Sequence, residues 1–250
     1  MNLVIDIGNT SCKIARYEGM RQVSLQRVEE VSNLNEIIRE RFDNIVLASV
    51  RDTDLKLKDT LKGLCDRFID FNIDYVRERI NAGDSLYRYL DNMPDGMGAD
   101  RMAAIYQACN LMPDDYILLF DFGTATTVEF IDKGHYVGGA ISLGLNTRYR
   151  ALSHFTRKIP LIEPQTVLAK GDINTISTIG YDLDTAMAAG NVLGIKFEIE
   201  GYMRCHPHRK VILTGGDAGI FAPGLDGDVR VEENLVLDGL AHIAISHAIR

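Results

Sequence analysis

Positive charge is in deficit: 27 Lys and Arg stand against 35 Asp and Glu in 250 residues, a formal net charge of −8. A field of that sign repels phosphate backbones and acidic lipid, so neither nucleic acid nor a membrane surface is expected as a partner; a local basic pocket for a small anion stays open. Cysteine is scarce and scattered, at Cys12, Cys65, Cys109 and Cys205, with no C-x-x-C pair. That excludes a disulfide framework or a zinc knuckle and suits a reducing cytosol. The 22 glycines and 6 prolines are too few for a low-complexity or collagen-like chain. No apolar run nears the ~18 residues that span a bilayer; the densest is Tyr116–Phe120. Met1 to Asp6 carries no basic stretch and meets a carboxylate at once, so no signal peptide is expected and the expected location is cytoplasmic. The sequence has no G-x-x-x-x-G-K-[ST] and no Gly-Lys pair, which excludes a P-loop.

What is present is ordinary in bulk, 46% hydrophobic and 25% charged, the proportions of a soluble globular chain. Its length suits one large or two small domains. Leu3-Val4-Ile5 is a short β-branched run stopped by Asp6-Ile7-Gly8-Asn9-Thr10, which predicts a buried strand entering a tight turn. A second strand follows at Lys13–Tyr17. Asn33, with Glu36 three residues on, predicts a capped helix to Arg41. Ile45–Val50 reads as a buried strand, and Asp54–Arg67 as an amphipathic helix through Leu55, Leu57, Leu61 and Leu64. This alternation argues α/β. Residues 72–96 and 158–182 read as loops or short elements. Later come a glycine turn at Gly138-Gly139, a helix after Gly144, a long helix near Asp184–Met203, a strand at Val211–Leu213 and a helix from about Asp238.

Setting residue i against i + 115 reveals an internal repeat. Leu3-Val4-Ile5-Asp6-Ile7-Gly8 falls on Leu118-Leu119-Phe120-Asp121-Phe122-Gly123, and Gly19 on Gly134. A duplication of this kind predicts two similar lobes, 1–115 and 116–250, joined around Pro113-Asp114-Asp115.

Several residues could carry chemistry. A glycine turn lets backbone N–H groups approach a phosphate; Asn9 and Thr10 add donors, Lys13 adds charge, and Asp6 is placed to hold hydrated Mg²⁺. A plain hairpin, in which Asp6 and Asn9 merely satisfy turn backbone, gives the same pattern. The second copy, Asp121-Phe122-Gly123-Thr124-Ala125-Thr126-Thr127, favours the phosphate reading, because two such turns facing each other can clamp a polyphosphate and its metal. Thr214-Gly215-Gly216-Asp217 offers glycine backbone for a ribose or a flat ring, or is a mere strand-to-helix turn. Gly98-Ala99-Asp100-Arg101 opens a helix to about Leu111. There Asp100 is either a first-turn acid or a general base beside an anion-holding Arg101. Cys205-His206-Pro207-His208 is expected as an exposed loop rather than a metal cluster. His242 and His247 do not share a helical face, and Ser142 misses the nucleophile-elbow pattern.

Taken in order, Asp6–Thr10, Gly98–Arg101, Asp121–Thr127, Gly138-Gly139-Ala140-Ile141 and Thr214–Asp217 resemble the acetate kinase, sugar kinase and actin superfamily, and more closely the type III pantothenate kinases. The resemblance implies an α/β fold of two duplicated ribonuclease H-like (actin-like ATPase) lobes with a cleft between them. It implies ATP-dependent phosphorylation of pantothenate, the first step toward coenzyme A, in a homodimer with a monovalent cation (K⁺ or NH₄⁺). Carried over by position, Asp6, Ile7, Gly8, Asn9, Thr10, Ser11, Cys12, Lys13 and Thr124 bind ATP, with Asp6 holding Mg²⁺ through water. Tyr89, Gly98, Ala99, Asp100, Arg101 and Leu183 bind pantothenate, Asp100 is the general base, and Asp121 holds potassium. Leu183 stands where the family has threonine, and Thr185 is the nearby alternative. Two other functions fit the same lobes: a nonenzymatic regulator of the Bvg accessory factor type, and a kinase for another small hydroxylated acid.

Overall fold

The computed structural model describes residues 1–29, 31, 34–168 and 172–246. In chain order the first elements are β1 (Asn2–Ile7), β2 (Cys12–Glu18), β3 (Arg21–Val28), α1 (Leu34–Ile37), β4 (Phe42–Ser49), α2 (Leu55–Gly63), β5 (Cys65–Phe71), α3 (Ile73–Asn81) and α4 (Ala99–Leu111). Then follow β6 (Tyr116–Phe122), β7 (Ala125–Asp132), β8 (His135–Leu143), α5 (Leu145–Phe155), α6 (Pro164–Leu168), α7 (Leu183–Met187), α8 (Leu193–Cys205), β9 (Lys210–Gly215), α9 (Ala218–Phe221), β10 (Val229–Val231) and α10 (Leu235–Ser246). Two five-stranded sheets result, ordered β3-β2-β1-β4-β5 and β10-β9-β6-β7-β8. Under the correspondence β1 to β6, β2 to β7 and so on, the two orders are one topology. The 115-residue repeat is therefore a repeat of architecture. Gly19 and Gly134, its matched glycines, both take positive φ (58° and 81°), a conformation that glycine adopts without steric cost at a hairpin bend.

Two compact units separate. One comprises Met1–Pro113, Gly134–Tyr136 and Asn234–Arg250, the other Asp114–Lys133 and Val137–Glu233. The first unit's opening stretch ends at Pro113, and α10 joins that unit and not the second. The cause is burial: Leu235, Leu237, Leu240, Ala241, Ile243 and Ala244 are all buried, and α10 packs on α4, β1 and β4.

Local expectations were revised where tertiary pairing outweighs periodicity. The helix from Asp54 stops at Gly63, because Cys65–Phe71 pairs in parallel with β4 and buries Cys65, Ile69 and Phe71 on a period of two. Asp54 does cap α2, accepting from the Lys56 N–H. Asn33 lies outside the described residues, and α1 ends at Ile37, before Phe42 opens β4. β3, polar on every second residue, is an edge strand that no apolar run announces. Within 72–96 lie α3, capped by the Asn72 side chain on the Tyr75 N–H, and a 3₁₀ turn at Ser85–Leu90. Within 158–182 lie α6 and a 3₁₀ turn at Ile173–Thr175. Gly138 and Gly139 sit inside β8, not in a turn. The long helix near Asp184–Met203 is α7 and α8 joined by a π-helical turn, Ala188–Val192.

Candidate active site

β1 is flanked by β2 and β4, so Asp6 is a carboxylate on a central strand and is only 7% exposed. Lys13 stands directly opposite it on β2, and directly opposed residues share a sheet face. Beyond β1 the Gly8 N–H donates to the Ser11 carbonyl at 3.0 Å, which closes the turn and leaves Asn9 and Thr10 exposed. Cys12 is buried, and burial, then the Asp6 charge, push its thiol up to about 12 against the pull of Arg51. It is therefore a protonated core thiol that offers a ligand its backbone alone.

β4 runs parallel to β1 with Ile7 paired to Ser49, which brings the next two residues to the turn. The Val50 N–H donates to the Ile7 carbonyl (3.1 Å), and Arg51 Nε donates to the Gly8 carbonyl (2.7 Å). The sequence singled out neither residue, since the neighbourhood follows from the β1–β4 pairing and not from chain proximity.

Gly98 occupies the N-cap of α4 with no side-chain cap. A Cβ there would lie 2.5 Å from Asp100 Oδ1 and 3.8 Å from Val50 Cγ1. The Asp100 carboxylate is thus folded back over Gly98, where it accepts the Arg101 N–H at 2.8 Å. The Val50 approach sets this segment beside the end of β4, so the Gly8 turn, Arg51 and Asp100 gather at one end of the first sheet. Arg101 Nη2 donates to the Tyr136 hydroxyl (3.3 Å). Tyr89, in the Ser85–Leu90 turn, packs against the middle of α4: its ring meets Tyr106 edge-on at 6.4 Å, and its hydroxyl accepts from Arg88 (2.7 Å). Tyr136, on β8 and outside every sequence motif, is the tyrosine on Arg101.

In the second unit the device recurs. Asp121 faces Thr127 on β7 and Thr214 on β9. The Gly123 N–H donates to the Ala125 carbonyl (3.0 Å). Thr124 is exposed, and its carbonyl accepts the Gly144 N–H (3.1 Å) and the Thr147 hydroxyl (2.6 Å), which docks the start of α5 on the turn. Gly215, at φ 90°, packs so tightly that a Cβ would strike the Asp121 carboxylate and, at 2.5 Å, the Phe122 carbonyl. Asp217 follows, its carboxyl raised above the usual range by burial. Leu183, exposed, opens α7. The Thr185 hydroxyl serves a capping box with Asp182, accepting the Tyr181 and Asp182 N–H groups at 3.0 and 3.1 Å.

Among the described residues no group of three or more His, Cys, Asp or Glu could hold a metal. His206 and His208 turn to different rings, Phe130 and Tyr116, while His247 lies outside the described residues. Ser142 donates to Glu198 (3.1 Å), itself paired with Arg148. Oxygen ligands are present at the turns, however. The Thr127 hydroxyl opposite Asp121 is buried with no hydrogen-bond partner among the described residues, and a carboxylate with hydroxyl oxygens suits a hard cation. Asp6, a buried carboxylate at a strand end, suits Mg²⁺ that keeps most of its water.

A family model described as type III pantothenate kinase matches residues 2–205. The type III pantothenate kinase of Phocaeicola vulgatus is 34% identical over 97% of both chains, and that of Cytophaga hutchinsonii is 32% identical over 97% of this chain and 98% of its own. Among solved structures, a Baf family protein of Campylobacter jejuni superposes with TM-score 0.66 at 20% identity, covering 99% of this chain and all of that one. The Clostridium difficile activator of 2-hydroxyisocaproyl-CoA dehydratase, with ADPNP bound, gives 0.57 at 14%, covering 99% and 95%. These likenesses show the fold: two ribonuclease H-like, actin-like ATPase lobes.

Proposed function

The chain belongs to the type III pantothenate kinase family, and from that premise we propose that it transfers the terminal phosphate of ATP to the primary hydroxyl of pantothenate, the first step toward coenzyme A, in the cytoplasm. The observation that carries the mechanism is the Asp100 carboxylate, held over Gly98 and against the Arg101 N–H at the start of α4. In this reading Asp100 takes the hydroxyl proton as general base, and Arg101, braced by Tyr136, binds the pantothenate carboxylate. Gly98, Ala99, Tyr89 and Leu183 complete the substrate contacts. The Asp6–Lys13 turn and Thr124 hold ATP. Phosphoryl transfer needs positioning and charge stabilisation more than covalent help, which is what these groups supply.

Asp6 would hold Mg²⁺ through water, and Asp121 with the Thr127 hydroxyl a potassium or ammonium ion. Bound there, the cations would offset phosphate charge. The working form is a homodimer. The test is an ADP-release assay with ATP and Mg²⁺, run with and without pantothenate and with potassium or sodium. Pantothenate-dependent release supports the reading; release indifferent to pantothenate, or none, overturns it in favour of another acceptor or a nonenzymatic regulator.

A further inference from the structure

We propose that Arg51 contacts the terminal phosphate of the nucleotide, a role that rests on the ATP reading above. Three observations on one side chain carry it. Its backbone is pinned: the Ser49 hydroxyl donates to the Arg51 carbonyl (2.8 Å) and accepts the Arg51 N–H (3.1 Å). Its Nε is fixed on the Gly8 carbonyl at 2.7 Å, so the guanidinium is tied to the turn assigned to phosphate. Its two Nη groups make no hydrogen bond among the described residues. Arg51 borders a cavity of about 570 Å³ that Ile7, Asp52, Asp54 and Lys56 also help to line, within the size range of ligand sites.

An arginine so placed is a planar, permanently charged donor pair of the kind that matches phosphate oxygens. The charge is felt at the turn itself, where it opposes Asp6 at the Cys12 thiol. Which phosphate it meets follows from its neighbour. Val50 Cγ1 lies 3.8 Å from the Cβ position of Gly98, so Arg51, the next residue, stands at the strand end that Gly98 and Asp100 also reach. The phosphate that must face the acceptor hydroxyl at Asp100 is the terminal one. Arg51 stabilises charge as the phosphoryl group moves, the part an arginine plays in other phosphoryl transfers.

The alternative is an arginine that only ties down the Gly8 turn, and two nucleotides separate the two roles. Wild type, Arg51→Met and Arg51→Lys are titrated calorimetrically with Mg²⁺ and either ADP or the imido analogue of ATP. A terminal-phosphate contact predicts that Arg51→Met loses roughly 10- to 100-fold in affinity for the analogue while ADP binding changes less than about 2-fold. Arg51→Lys, which keeps the charge but not the fork, should fall between. Equal loss for both nucleotides, or loss for neither, overturns the proposal while leaving the ATP reading intact. If wild type binds neither nucleotide, the ATP reading fails and this proposal with it. Should Arg51→Met melt early, Arg51→Lys carries the same comparison.

Discussion

Gly98→Ala separates catalytic positioning from stability. The alanine Cβ would arrive 2.5 Å from Asp100 Oδ1, whereas its next neighbour, Val50 Cγ1, is at an ordinary 3.8 Å. The clashing atom is the tip of a side chain, so it can yield without moving backbone. To reach normal contact the carboxylate must retreat by about 1 Å, out of line with the Arg101 N–H that now holds it at 2.8 Å. The backbone itself (φ −62°, ψ 143°) is open to alanine. The only stability cost is a poorer N-cap, about 1 kcal/mol, or roughly 2–4 °C in melting temperature for a chain of this size.

Catalysis should suffer more. A misplacement of about 1 Å can cost ~10²-fold in rate, which corresponds to about 2.7 kcal/mol in the barrier. The assay is steady-state pantothenate phosphorylation beside thermal melting. A fall of ~10²-fold in kcat with ATP KM and melting nearly unchanged is expected. Wild-type turnover in Gly98→Ala would show that the position of Asp100 over Gly98 is irrelevant to the reaction, and unfolding would show that the glycine is needed by the helix instead.

The remaining predictions probe other links. Asp100→Asn should keep the fold and nucleotide binding while turnover falls ~10²–10⁴-fold, the usual contribution of a general base; near-normal turnover reduces Asp100 to a first-turn acid. Activity should collapse when sodium replaces potassium and return with ammonium, and Asp121→Ala should abolish that response; equal rates in both salts across a magnesium titration would end the cation assignment. His242, edge-on to Tyr106 at 5.6 Å, is held below its usual range by burial. Its unfolded form therefore binds protons that the folded form refuses, so stability is full above about pH 6.5 and falls as pH drops below it. Melting temperature between pH 8 and 5 should decline more steeply for wild type than for His242→Gln, and identical slopes would remove His242 from the acid response.

How much of this was legible in the sequence depends on how local each signal was. The 115-residue repeat was readable because buried strands keep the spacing of Asp and Gly, and the duplicated sheet order confirmed it. The Gly98 and Asp54 helix starts were readable because caps act within one turn. β5 was not readable: Cys65–Phe71 is a strand because β4 lies beside it, and Leu61 and Leu64 continue the helical pattern into it. β3 was hidden by its polar alternation at a sheet edge. The same logic governs the site. Asp6, Asp100 and Asp121 stand in motifs, whereas Arg51 and Tyr136 reach their neighbours through the β1–β4 pairing and the return of β8 to the first unit, which no window of sequence contains.

The two copies differ most usefully at one register position. Across from Asp6 stands Lys13, whereas across from Asp121 stands Thr127, on the same sheet face in each case. The first copy thus carries a fixed cation on the partner strand, and anions approaching that turn meet a charge already built in. The second copy presents a neutral hydroxyl, buried and without a hydrogen-bond partner among the described residues, where its twin presents an ammonium. A buried hydroxyl left so is costly, and an ion that accepts both oxygens would remove that cost while restoring the charge that the duplication lost. The contrast supports the proposal, which the family resemblance implies, that potassium sits at Asp121 and not at Asp6. It also yields a sharper test than removing the carboxylate. Thr127→Lys should rebuild the first copy's arrangement, with a tethered ammonium taking the place of the free ion. Its activity should then become independent of potassium, with sodium and potassium giving equal rates at a level above that of Asp121→Ala. A Thr127→Lys enzyme that folds, binds nucleotide and still needs potassium as wild type does would show that the ion sits elsewhere.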